Sequence, residues 1–182
     1  MNYFFDTEFN EVGTGLDLIS IAIISEDGRE YFAVNSGFDA YAARSNAWLA
    51  EHVMPHLPTQ FLSNGASPIF NPVWKPRWEI AQDIVNFVSD GLNTPPVFWA
   101  DYASYDWLAL CGLYGKIPNL PAGWPKFPMD IQNLKAFVGF KGDLPKPPCQ
   151  HDGLLNVRNA ITRYYFLYEY RRNFNLTSDY QG

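Results

Sequence analysis

Two acids, one residue apart, are the first groups in this sequence that could do chemistry. The run Phe5-Asp6-Thr7-Glu8-Phe9 predicts a β-strand, and a strand's period of two puts Asp6 and Glu8 on one face, about 7 Å apart at the backbone. Phe4 shares that face, while Tyr3, Phe5, Thr7 and Phe9 line the other. A strand apolar on both sides belongs in the middle of a covered sheet. Neighbouring carboxylates there repel each other and are costly to desolvate unless something positive compensates. A divalent cation is the economical solution, and oxygen-only ligands point to Mg²⁺ or Mn²⁺. The same spacing also fits a solvated pair at an exposed strand end.

A second group of candidates lies in Trp99-Ala100-Asp101-Tyr102-Ala103-Ser104-Tyr105-Asp106. Asp106 falls in the first turn of a helix just after a strand, where ligand sites of open α/β sheets gather. An acid there also serves simply as a partner for the helix dipole. Asp101 reads as a strand end or turn initiator. In the third segment, Gln150 to Arg158, His151 opens a helix and Asn156 follows five residues on. The two stand about 140° apart around the axis and roughly 7.5 Å along it. They cannot share one ion as an i, i+4 pair would, but they can bracket a substrate lying beside the first turns.

The elements that must position these groups follow from periodicity. Tyr3 to Phe9, Leu16 to Ser25 and Glu30 to Val34 read as strands, with Glu26-Asp27-Gly28-Arg29 closing the second hairpin. Ala40 to His52 reads as one helix with Trp48 and Leu49 on its apolar side, and Leu62 to Asn71 as a surface loop. Trp78 to Val88 is helical with Ile80, Ile84, Phe87 and Val88 as its stripe, and Val97 to Ala100 is a short strand. Ser104 is the expected cap of a helix to about Tyr114, stopped by Gly115. A helix near Asp130 to Val138 and a Pro-rich turn, Pro145 to Pro148, precede the last helix. That helix starts near His151, with Leu154, Val157, Ile161, Tyr164 and Tyr168 on its apolar stripe. Three strands followed by helix, helix, strand, helix and helix predict an α/β fold. It is a mixed central sheet with a three-strand antiparallel meander, flanked by helices, and one domain covers residues 1–182.

Composition narrows the function. With 182 residues and 47% apolar content the chain can bury a substantial core. The 14 Phe, 11 Tyr and 6 Trp supply it, and some of those rings could instead face a ligand. A net charge of −6 argues against a broad basic face on nucleic acid, but leaves open an acidic site that recruits cations. The longest apolar stretch, around Leu18 to Ile24, is far short of the roughly 20 residues a membrane span needs. Met1-Asn2-Tyr3 has no signal-peptide character. Two cysteines, Cys111 and Cys149, make neither a disulfide framework nor a four-ligand zinc site. A soluble cytoplasmic protein without membrane partners is the expectation.

Taken in order, an Asp-x-Glu on the first strand, an Asp after a later strand and a His at the final helix resemble the DEDDh 3′-5′ exonucleases, a superfamily of RNase H-like fold. Within it the chain is most similar to the polyadenylate-specific exoribonuclease group, the RNase AS type. Tyr3 to Phe9, Leu18-Ile19-Ser20-Ile21, Glu26 to Tyr31, His52 to Pro58 and Tyr105 to Cys111 carry the likeness. It runs from Tyr3 to about Arg172, with Leu62 to Asn71 as an insertion. Members carry an aspartate five residues after the histidine; this chain has Asn156. An amide oxygen still coordinates a hard cation, but without the negative charge, and its NH₂ repels the ion if turned inward. Asp152, one turn earlier, is a weak substitute.

The resemblance implies two Mg²⁺ or Mn²⁺ ions, held by Asp6, Glu8, Asp106 and, weakly, Asn156, with His151 as general base. Thr7 and Phe9 are candidate substrate-binding residues, Phe9 either stacking on the terminal base or belonging to the core. The substrate would be the 3′ end of single-stranded RNA, the products nucleoside 5′-monophosphates, and the assembly a homodimer. A non-catalytic module binding RNA 3′ ends is the alternative. A glycosidase pair fits poorly, because such acids face each other across a sugar.

Overall fold

The computed structural model describes residues 1–13, 15–63, 67–89, 94–146 and 152–178. Its frame is the predicted meander. Strands β1 (Asn2–Val12) and β2 (Gly15–Ser25) pair antiparallel from Tyr3 opposite Ser25 to Val12 opposite Gly15. β2 then pairs antiparallel with β3 (Glu30–Asn35). Gly28, at φ 88°, takes the left-handed turn position that a Cβ would strain. The Asp27 carboxylate accepts from Arg29 Nε at 3.0 Å and pins the turn.

The expected helix over Ala40 to His52 is two short ones, α1 (Ala40–Ser45) and α2 (Ala47–His52). Asn46 breaks it: its backbone is extended, and its Oδ1 accepts from Trp48 N at 3.1 Å and Leu49 N at 3.4 Å. An asparagine side chain that caps the next helix removes its own residue from the previous one. Trp48 is consequently half exposed, at 50%, while Leu49 is buried. The stretch read as a loop holds a solvent-exposed hairpin, β4 (Phe61–Ser63) with β5 (Pro68–Phe70).

β6 (Trp74–Lys75) leads into α3 (Arg77–Ser89), which buries Ile80, Ile84 and Val88. β7 (Val97–Ala100) follows, then α4 (Ser104–Gly112), β8 (Met129–Asp130), α5 (Ile131–Phe137) and α6 (Gly153–Ser178). The sheet order is β6-β3-β2-β1-β7-β8, with β7 and β8 joining β1 in parallel. β1 is therefore central. Tyr3 and Phe5 face a core shared with α3 and α4, whereas Phe4 faces one shared with α6 through Val157, Ala160 and Leu167. Tyr168, expected on that stripe, is 54% exposed and lies stacked on Tyr164. Among the described residues no helix is long and apolar enough to cross a membrane.

Ser104 is not a cap. Ala103 occupies that position without a side-chain hydrogen bond, and its N–H is taken by Asp130 Oδ2 at 2.7 Å. Asp130 Oδ1 simultaneously caps α5 by accepting from Asn133 N at 2.9 Å. α4 stops at Gly112, and single turns carry the chain to Gly115 at φ 84°. Pro147, Pro148, Cys149 and His151 lie outside the described residues. One carboxylate thus fastens two helix starts. Asp130→Ala strands both N–H groups and should lower stability by about 2 kcal/mol, measurable as a lower urea midpoint with an unchanged m-value.

Candidate active site

β1 outruns its neighbour. Its pairing with β7 stops at Phe4 opposite Trp99, so Asp6 to Phe9 lie beyond the end of β7 on that side. The Thr7 N–H therefore has no strand partner there, and Asp106 from the first turn of α4 takes it: Thr7 N donates to Asp106 Oδ1 at 2.9 Å. Thr7 Oγ1 donates to the same oxygen at 2.6 Å. The register with β2 shifts between Glu8 and Phe9, a bulge of the kind that re-aims side chains beside active sites.

From the opposite face comes α6. Asp152 begins it as a cap, Oδ1 accepting from Leu155 N at 3.1 Å, so this acid does not replace Asn156. Gly153 allows the close approach: a Cβ there would stand 3.2 Å from Ala22 Cβ and 3.4 Å from the Phe32 ring. One turn on, Asn156 Nδ2 donates to Asp6 Oδ2 at 3.2 Å. The structure thus brings Asp6, Thr7, Glu8, Phe9, Asp106 and Asn156 to a single cleft of about 630 Å³. A second cavity of about 270 Å³ adjoins Glu8, between Ser20, Val53, Asn71 and Gly153. His151 lies outside the described residues.

The electrostatics are those of crowded, buried acids. Glu8 and Asp106 are 9% and 8% exposed. Burial, then the Asp106 charge, pushes Glu8 up to about 7. Burial pushes Asp106 up to about 6, against the two Thr7 hydrogen bonds that favour its ionised form. Asp6 is raised well above the ordinary carboxylate range by burial, then by Asp106 and Glu8, with the Asn156 amide opposing. Asp101 is occupied elsewhere, bound to Arg163 and to Gln132 Nε2, the latter at 2.7 Å.

Beside Phe9, three exposed rings at this cleft were not singled out by sequence reasoning. Phe9 is half-buried and stacks on Tyr105, with centroids 6.0 Å apart and planes 13° apart. Tyr105, Trp48 and Tyr102 line the walls at 55%, 50% and 70% exposure. The available signal was the excess of aromatics, which does not say which rings leave the core.

Two curated 3′-5′ exoribonucleases from Mycobacterium tuberculosis, of strains CDC 1551 / Oshkosh and ATCC 25618 / H37Rv, are each 36% identical to this chain over 165 residues, 90% of its length and 91% of theirs. The chain belongs to this 3′-5′ exonuclease family. No family model matches the sequence. Among solved structures, exonuclease I in its apo form superposes with a TM-score of 0.51 at 10% identity, over 93% of this chain and 43% of its own. That likeness establishes the RNase H-like fold.

For this exonuclease the donor set at the cleft suits a hard cation in type: every candidate ligand is an oxygen, and three buried carboxylates repel one another. Yet among the described residues no three carboxylate, imidazole or thiol groups converge tightly enough to chelate an ion as they stand. The Asn156 amide faces Asp6 instead. Raised carboxyl pKa values set the sign of the pH response. The unfolded chain ionises these acids first, from about pH 4, so the metal-free fold is most stable below that range and loses stability as pH rises toward 7. In EDTA the melting temperature should fall by about 6 °C between pH 5 and pH 8. Glu8→Gln should flatten that fall, and Mn²⁺ should restore the pH 8 value in the unaltered chain.

Proposed function

We propose that this exonuclease removes nucleoside 5′-monophosphates from the 3′ end of single-stranded RNA, with Asn156 holding its rate below what the scaffold allows. The reading is carried by one observation: Asp6, Glu8 and Asp106, from segments 100 residues apart in sequence, share one buried, mutually repelling site at the floor of an open cleft. Asp6, Glu8 and Asp106, with Asn156 in a fourth place, would hold Mg²⁺ or Mn²⁺, which supplies when bound charge neutralisation at the scissile phosphate and a more acidic attacking water. Thr7 fixes the Asp106 carboxylate by two hydrogen bonds, so its orientation is set before substrate arrives. His151, two residues before α6 in the sequence, is the residue the family resemblance assigns as base for the water's proton. Phe9, held flat by Tyr105, presents a ring to a base lying in the larger cleft. A preference for polyadenylate rests on the RNase AS likeness alone.

The amide of Asn156 donates to Asp6, placing an N–H where a ligand oxygen would repel Asp6 and call for a cation. That hydrogen bond also favours a second reading, a module that holds RNA 3′ ends without cutting them. The two separate on one labelled oligoadenylate. On the first, the purified chain with Mn²⁺ shortens it slowly from the 3′ end, and Asn156→Asp accelerates this by about two orders of magnitude. A variant no faster than the parent removes Asn156 from the ligand set; tight binding with no shortening by either protein supports the binder.

A further inference from the structure

The turn between β7 and α4 carries a backbone conformation unfavourable to the side chain it holds. Tyr102 has φ 59°, and among the described residues it is the non-glycine with positive φ. An L-residue with a large side chain is disfavoured there; glycine and asparagine are the usual occupants. Both neighbours are locked. Asp101 is held by Arg163 and Gln132, and Ala103 is buried with its N–H on Asp130. The backbone is therefore fixed, and the Tyr102 ring leaves it into the cleft, 70% exposed. Among the described residues the ring has neither a hydrogen-bond nor a ring partner within the fold. A strained residue over-determined by its surroundings, beside a reactive site, points to a role in binding.

The cavities say which part of a substrate it meets. Both are open and adjoin Glu8, one of about 270 Å³ lined by β2, β3, the Val53–Pro58 segment and the start of α6, the other of about 630 Å³ and walled by aromatics. The smaller volume suits a single departing nucleotide, and the larger one suits the strand behind it. We propose that Tyr102 is a substrate-binding residue that stacks on the nucleobase immediately 5′ to the scissile phosphate, in the cleft that Trp48 also lines. Stacking on a ring is the sequence-tolerant way to grip a single strand, and a pre-strained turn keeps the ring from folding back onto the protein.

This rests on the RNA reading above, and the experiment separates the two. The probe is a fluorescein-labelled octaadenylate with a phosphorothioate at its last linkage, with and without an abasic site at the second nucleotide from the 3′ end, read by anisotropy. Tyr102→Gly should raise the melting temperature by about 2 °C, by relieving the left-handed strain, and weaken binding of the intact octamer about tenfold or more. It should leave the abasic octamer unaffected, and Tyr102→Phe should bind as the unaltered chain does. Equal binding of the intact octamer by the glycine variant overturns the Tyr102 assignment, as does an equal loss on both octamers, while the RNA reading stands. If neither the unaltered chain nor its variants bind the octamer, the RNA reading falls and the stacking role with it.

Discussion

Like charges buried on a central strand are the constraint from which the rest of this structure follows. A carboxylate moved out of water resists ionisation, and each further carboxylate beside it resists more. β1 nevertheless carries Asp6 and Glu8 through the middle of a six-stranded sheet, and α4 brings Asp106 to join them. Everything around them limits that penalty without abolishing it. The short β7 leaves the Thr7 N–H for Asp106 to accept. Gly153 lets α6 lie close enough for an amide to reach Asp6. The remaining imbalance, visible as carboxyl groups raised toward neutrality, makes the site a receptor for positive charge.

An acidic nuclease must also bring a polyanion to that site, and its charge is unevenly placed. Residues 1–115 carry 4 Lys and Arg against 14 Asp and Glu, whereas residues 116–182 carry 9 against 5. The acids cluster with the meander that forms the site, and the bases with α5 and α6. Several of the bases are already paired, Arg158 with Glu30, Arg163 with Asp101 and Arg172 with Glu169. General electrostatic attraction to phosphate is therefore weak near the carboxylates. On the function proposed above, ring stacking and bound cations are the interactions left to hold an RNA end there.

Much of this was legible in the sequence, for local reasons. The meander announced itself through alternation, aromatic density on β1 and the Asp27-Gly28 turn. The carboxylate pair announced itself through a spacing of two. What was not legible depended on distant partners. β6 and β8 are two residues each and exist because β3 and β7 offer them edges. Asn46 caps one helix by ending another, and composition alone cannot choose between those roles. Trp48 fits an apolar helix stripe until that break turns it outward. Ser104 looked like a cap because the true acceptor, Asp130, is 27 residues away.

The local rules fail most densely around one cleft. Buried acids face each other there, an amide donates to one of them, rings are exposed, and a tyrosine sits in a glycine conformation. Elsewhere propensity, burial and hydrogen bonding agree, as they must for one chain to prefer one fold. Concentrated disagreement is what a functional site leaves behind, because chemistry requires groups in states that folding alone would avoid. Asn156 is the instructive member. Its hydrogen bond to Asp6 makes the folded protein locally more content, satisfying a buried carboxylate that a second acid would have left in conflict. The same satisfaction weakens the demand for a cation, so on the function proposed above the amide that eases the fold also slows the reaction.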